Sequence, residues 1–212
     1  MTGSESGREV RIPPGIYEME DERYEIRLSG SGGQGIIMAA IVLAEAAGVY
    51  DLKYVCQTQS YGPEARGGTS KAEVIISNTP IDYPKAIRPD LLLTMNQEAC
   101  DTYFHDLKTG GLLVVDSTLV RQIPPCRVAA IPFTKIAREE INKEMVANMV
   151  ALGAVGELSP VISLKGLEQA LMARVPRGTE DINRRALNAG IEAAKRFDLQ
   201  DFPMTATVEE EI

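Results

Sequence analysis

The sequence predicts an α/β fold: a doubly wound, mostly parallel sheet with helices on both faces and a helical C-terminal third. Three observations carry this expectation. Tyr24-Glu25-Ile26-Arg27-Leu28 alternates in polarity like a strand and runs straight into Gly30-Ser31-Gly32-Gly33-Gln34-Gly35. The stretches Asp90 to Met95 and Gly111 to Asp116 are continuous apolar runs of strand length, as in strands buried on both faces. From Thr134 onward the apolar periodicity is helical.

After the glycine-rich turn, Ile36 to Ala47 is apolar nearly all round and rich in alanine, a helix that can pack closely on a sheet and stop at Gly48. Lys53 to Thr58 predicts a second strand, with a polar end at Gln57, Thr58, Gln59 and Ser60. With the first strand it makes a βαβ unit of right-handed crossover. Ser60-Tyr61-Gly62-Pro63-Glu64-Ala65-Arg66-Gly67-Gly68 cannot continue a helix or a central strand, so it is a loop. Ser70 to Ser77 alternates, and Lys71, Glu73 and the nearby prolines predict an edge or antiparallel strand. A helix over Asn96 to Leu107, a strand over Arg127 to Ile131 and helices over Ile136–Ile141, Met145–Leu158, Leu164–Val175 and Glu180–Phe197 complete the chain. The last helix has Thr179 as N-cap, Glu180 and Asp181 in its first turn, and Lys195 and Arg196 in its last, matching the helix dipole. The expected organisation is an N-terminal arm over 1–20, a single domain over 21–200 and an acidic C-terminal tail over 201–212.

Composition narrows the function classes. Of 212 residues, 22 are Lys or Arg and 30 Asp or Glu, a formal net charge of -8, so a broad nucleic-acid footprint is not expected. The polar N-terminal stretch is no signal peptide or anchor, and the apolar run Ile36 to Val49, broken by Glu45, falls short of the roughly 20 residues that span a bilayer. A cytoplasmic protein without membrane contact is the expectation. Cys56, Cys100 and Cys126 stand far from any CxxC spacing, so neither an iron–sulfur cluster nor zinc is expected on this chain, and the cysteines read as small core residues.

Gly30, Gly32 and Gly35 satisfy G-x-G-x-x-G between strand and helix, where bare N–H groups and the helix dipole can receive a phosphate. The same glycines serve equally for tight strand-to-helix packing. A dinucleotide site would want an acidic residue ending the second strand, yet that end reads Gln57-Thr58-Gln59, and Asp51 precedes the strand. In the long loop, Pro63 stiffens a turn that presents Glu64 and Arg66, while Gly67 and Gly68 let the backbone approach another surface; an internal ion pair holding the loop is the plainer alternative. His105 reads as structural or solvent-exposed. Asp116-Ser117-Thr118 suits either a ligand or a turn cap, and Met145, Met149 and Met172 read as core or interface packing.

Leu28 to Gly35, Gln59 to Gly68 and Asn148-Met149-Val150-Ala151-Leu152-Gly153, in this order and spacing, resemble the gamma subunits of 2-oxoacid:ferredoxin oxidoreductases from about Tyr24 to Phe197. The 2-oxoglutarate type is the most similar, with pyruvate and branched-chain versions close. The resemblance implies oxidative decarboxylation of a 2-oxoacid to acyl-CoA, with thiamine diphosphate, Mg and iron–sulfur clusters on other subunits and electrons passing to ferredoxin. The thiamine motif opening with Gly-Asp-Gly is absent from this sequence. The chain is thus expected to be an accessory subunit, inactive alone, that packs on alpha, beta and possibly delta chains, with self-association of the isolated chain allowed. It is expected to help enclose coenzyme A, with Gly32, Gly33, Gln34, Gly35, Glu64, Arg66, Gly67 and Gly68 as the candidate residues. A free-standing dinucleotide-binding oxidoreductase and a purely structural scaffold are the alternatives.

Overall fold

A computed structural model describes residues 23–60 and 69–197, in which six strands form one mixed sheet of order β2-β3-β1-β4-β5-β6. Strands β1 (Arg23–Ser31), β4 (Leu91–Thr94), β5 (Leu112–Asp116) and β6 (Val128–Ile131) are parallel neighbours. Strand β3 (Thr69–Ser77) runs antiparallel between β1 and β2 (Tyr54–Ser60). The expected βαβ unit is corrected here: β2 shares the direction of β1 but lies one strand away. Burial explains the order. Ala72, Val74, Ile75 and Ile76 are almost wholly buried, which a central position provides, whereas β2 is half-exposed and mostly polar, which an edge tolerates.

Helices cover both faces. The larger core joins Ile26, Leu28, Val74, Leu91 and Leu93 to α1 (Ile36–Glu45), α3 (Phe133–Glu139), α4 (Ala147–Leu158), α5 (Leu164–Arg174) and α6 (Glu180–Ala194). On the other face Leu92, Leu113 and Val115 pack with Cys100 of α2 (Gln97–Tyr103). Helix α1 does not stop at Gly48 but loosens into a π-helical turn over Ala46–Tyr50. At the start of α6 the Thr179 hydroxyl donates to the Pro176 carbonyl and does not cap the helix, contrary to expectation. Glu180 and Asp181 still meet the positive end of the dipole, but Lys195 falls just past the last turn.

The crossing of α4 and α6 depends on glycine. A Cβ at Gly190 would lie 1.8 Å from the Val150 carbonyl oxygen, and one at Gly153 would lie 2.0 Å from that of Leu187. The backbones touch, and nothing larger fits.

Charge is buried on the α2 side of β1 and β3. Arg27, its side chain only 3% exposed, bridges Glu73 at 2.8 Å and also pairs with Asp106. Lys71 reaches the same Glu73 at 3.0 Å. The Tyr103 ring stands 5.5 Å from the Arg27 guanidinium and 5.6 Å from the Lys71 ammonium, within cation–π range.

Cys100 and Cys126 share the smaller core, and Cys56 sits half-buried on β2. Burial, reinforced by Cys100, pushes the Cys126 thiol from 9.0 up to about 11. The fold therefore holds a proton where the unfolded chain has already lost it, and stability falls as pH rises through that interval. We expect urea midpoints to be level below pH 9 and to drop between about 9 and 11, with Cys126→Ala flattening part of the drop. Equal slopes in both proteins would sink the assignment. Burial and Asp90 also push the Tyr24 phenol up, which accounts for loss above 10.

Candidate functional site

The chain reverses the side on which it lays its helices between β1 and β4. Helix α1 leaves β1 for the larger core, while α2 leaves β4 for the opposite face. A crevice between the C-terminal ends of two such strands is where open α/β sheets place ligands. Its floor is stitched across: the Met95 N–H donates to the Ser29 carbonyl at 2.9 Å, and the Ser29 hydroxyl donates to the Leu93 carbonyl at 2.8 Å.

The glycine-rich turn forms one wall, and Gln34 holds its shape. Its Oε1 accepts from the Ser31 N–H at 2.7 Å, and its Nε2 donates to the Met95 carbonyl at 3.3 Å. A Cβ at Gly30 would lie 2.5 Å from that Oε1, so any larger residue would displace Gln34 from its bond to Ser31. Gly35 stands at the N-cap of α1 with φ of 71°, in the left-handed region, and a Cβ on it would lie 2.3 Å from the Asn148 amide. Asn148 Nδ2 donates to the Gly35 carbonyl at 3.2 Å. Sequence reading names Asn148 only within a motif; the structure shows why it matters, since α4 reaches across to fasten the turn.

Gly32 and Gly33 are different, for a Cβ on either would meet nothing within 4 Å. They are exposed, and the first turn of α1 carries no acidic side chain. The backbone N–H groups of that turn lie at the positive end of the dipole with no carboxylate in the first turn, an arrangement chemically suited to an anion.

The family model for pyruvate ferredoxin/flavodoxin oxidoreductase matches residues 25–193. The chain belongs to this family. A 2-oxoglutarate synthase subunit, KorC, of Methanocaldococcus jannaschii is 52% identical over 82% of this chain and 96% of its own length. The gamma subunit of a keto/oxoacid ferredoxin oxidoreductase from Geobacter sulfurreducens is 48% identical, with a TM-score of 0.76 over 82% of this chain and 97% of that one. A 2-oxoglutarate:ferredoxin oxidoreductase from Magnetococcus marinus, solved with 2-oxoglutarate, coenzyme A and succinyl-CoA bound, is 26% identical. Its TM-score is 0.72, over 84% of this chain and 32% of that chain. This is a gamma-type subunit of a 2-oxoacid:ferredoxin oxidoreductase.

In this gamma-type subunit Gly32, Gly33, Gln34 and Gly35 come together in the one turn just described. Glu64, Arg66, Gly67 and Gly68 lie outside the described residues, as do the arm and the acidic tail. The two ends of their loop are described: Ser60 closes β2, and Thr69, opposite Ser31 in the register, opens β3 at the rim of the glycine turn. Asp116 turns out to cap structure, accepting from the Thr118 N–H at 3.0 Å and the Thr134 N–H at 3.1 Å. Asp51 accepts from the Ser163 N–H at 2.8 Å and serves the start of α5. His105 is exposed, Met149 is buried, and Met145 is 83% exposed, so the core reading fails for Met145. Among the described residues no helix is long and apolar enough to cross a membrane.

Proposed function

We propose that this chain works in a 2-oxoglutarate:ferredoxin oxidoreductase and that its glycine turn receives a phosphate of coenzyme A, the acyl acceptor. The observation that carries the reading is the open, uncapped N-terminus of α1 at the β1–β4 crevice, with Gly32 and Gly33 leaving backbone N–H groups accessible. The KorC name of the relative supports 2-oxoglutarate as the oxoacid, and the coenzyme A bound to the Magnetococcus enzyme supports the acceptor.

In this reading Gly32 and Gly33 donate N–H groups, while Gln34 and Gly35 hold the turn that aims them. Glu64, Arg66, Gly67 and Gly68 complete the enclosure from the loop, where the planar fork of Arg66 suits a phosphate. Thiamine diphosphate with Mg, held by other subunits, supplies the decarboxylation chemistry, and iron–sulfur clusters elsewhere pass the electrons to ferredoxin. Residues 21–200 form the working domain. A dinucleotide reading loses its ground twice over. Strand β2 ends without a carboxylate, and antiparallel β3 occupies the position beside β1 where the ribose-binding strand would lie.

Gly32→Asp tests the anion site, because the new side chain meets open space yet sets a negative charge where the phosphate would lie. A charged hydrogen bond is worth about 1.5–3 kcal/mol, so the assembled complex should show a KM for coenzyme A raised at least about tenfold. Its thermal stability should match the wild type. Unchanged coenzyme A kinetics in a correctly assembled variant would place the acceptor elsewhere.

A further inference from the structure

Large apolar side chains are left in solvent at one corner of the molecule, where β2 begins. Val49, Leu52 and Tyr54 are all more than half exposed, Leu52 to 85%. Tyr83 and Ile87 join them. Arg23, in the same sheet row as Ser77 and Tyr54, donates to the carbonyls of Tyr83 and Lys85, and the Cys56 thiol donates to that of Pro84. The connection from β3 to β4 therefore lies over the same end of β2.

Among the described residues Leu52 is also one of two non-glycine residues with positive φ, at 57°. Leu52 stands just past the helical turn, where the Lys53 N–H donates to the Ala47 carbonyl at 2.9 Å, a place that favours glycine or asparagine, and its exposed side chain adds no burial there. The strand that follows is the outermost of the described sheet, and Tyr54–Ser60 contains no charge and no proline. Those are the usual devices that stop an edge from pairing. A leucine in a glycine-type conformation, apolar exposure and an uncharged strand thus coincide between Leu52 and Gln59.

We propose that the outer edge of β2 and the Leu52–Tyr54 corner dock a different subunit of the oxidoreductase. That subunit adds an extended segment to the sheet by main-chain hydrogen bonds and covers Leu52 and Tyr54 with apolar side chains. The inference rests on the subunit reading above. A second copy of this chain is the poorer occupant, because a net charge of -8 on each copy opposes their approach, whereas an uncharged strand sets no repulsion against a different partner. The related fold in Magnetococcus makes up 32% of a longer chain, so there it is joined to further polypeptide that can cover such a face.

The test uses the full chain with the other subunits of the complex, by sedimentation and titration, comparing wild type with Leu52→Asn and Tyr54→Lys. Asparagine accepts positive φ, so Leu52→Asn should match or exceed the wild type in thermal stability while binding the other subunits at least tenfold more weakly. Tyr54→Lys, which adds an edge lysine, should lose assembly in the same way. If wild type and both variants assemble with equal affinity, this surface is not the interface. A wild-type chain that never joins the other subunits overturns the subunit reading, and the surface with it. A dimer of the isolated chain that Tyr54→Lys dissolves, with assembly into the complex intact, makes the occupant a second copy and refutes the proposal.

Discussion

Gly190→Ala is expected to lower stability by about 3 kcal/mol, the upper end of the usual penalty for overpacking, because the obstacle is backbone. The new methyl would sit 1.8 Å from the Val150 carbonyl oxygen, and no rotamer change moves a helix carbonyl. Helices α4 and α6 have to separate along their whole crossing. Gly153→Ala meets the Leu187 carbonyl in the reciprocal position and should behave alike. At about 2–4 °C per kcal/mol for a chain of this size, the melting temperature falls by about 6–12 °C. Gly32→Ala, which meets nothing, is the control. A Gly190→Ala protein within about 1 kcal/mol of wild type would show that the two helices are not in backbone contact. The separation also reaches the candidate site, since α4 carries Asn148, which fastens Gly35.

Arg27→Met is the second large effect. The substitution keeps an unbranched apolar stem but leaves Glu73, 8% exposed, facing the ammonium of Lys71 as its remaining ion-pair partner among the described residues. Breaking a buried pair from one side costs about 3–5 kcal/mol when the charge left behind is uncompensated, and the loss here belongs at about the lower end because Lys71 still faces Glu73. Arg27→Met with Glu73→Gln should recover most of that loss, giving a coupling energy of at least about 1 kcal/mol in a double-mutant cycle. Asp106→Asn should cost under about 1 kcal/mol, since Asp106 is 49% exposed and regains water. Additive losses in the cycle would mean that Arg27 and Glu73 do not act as a pair.

Local pattern carried much of the fold. The apolar runs at Leu91 and Leu112 read directly as buried parallel strands, and the glycine turn read as a strand-to-helix junction, because each needs only its own neighbours to declare it. The place of β3 was not legible. Lys71, Glu73 and the nearby prolines suggest an edge or antiparallel strand, and β3 is antiparallel but central: Lys71, Glu73 and Arg27 neutralise one another beneath Tyr103, a pairing that leaves no periodic trace. The turn residues of the site were legible through composition. Asn148, which closes the turn from more than a hundred positions away, was visible only as part of a family motif. The glycines at 153 and 190 gave no local sign either, since only the crossing of two helices makes them obligatory.

The insertion of β3 also dictates an order of assembly. As the chain emerges, β1 has no partner available: its neighbours are β3 and β4, which begin at residues 69 and 91. The earliest sheet pairing open to the chain is the β2–β3 hairpin, joined through residues near in sequence, from Ser60 opposite Lys71 outward to Tyr54 opposite Ser77. Short-range pairings form ahead of long-range ones because less chain entropy is lost in closing the loop. Strand β1 then docks against a preformed hairpin, and only after β4 adds to its other side does the crevice at its C-terminal end exist. The nascent chain therefore completes the crevice beside the glycine turn late, after it has extended past Thr94.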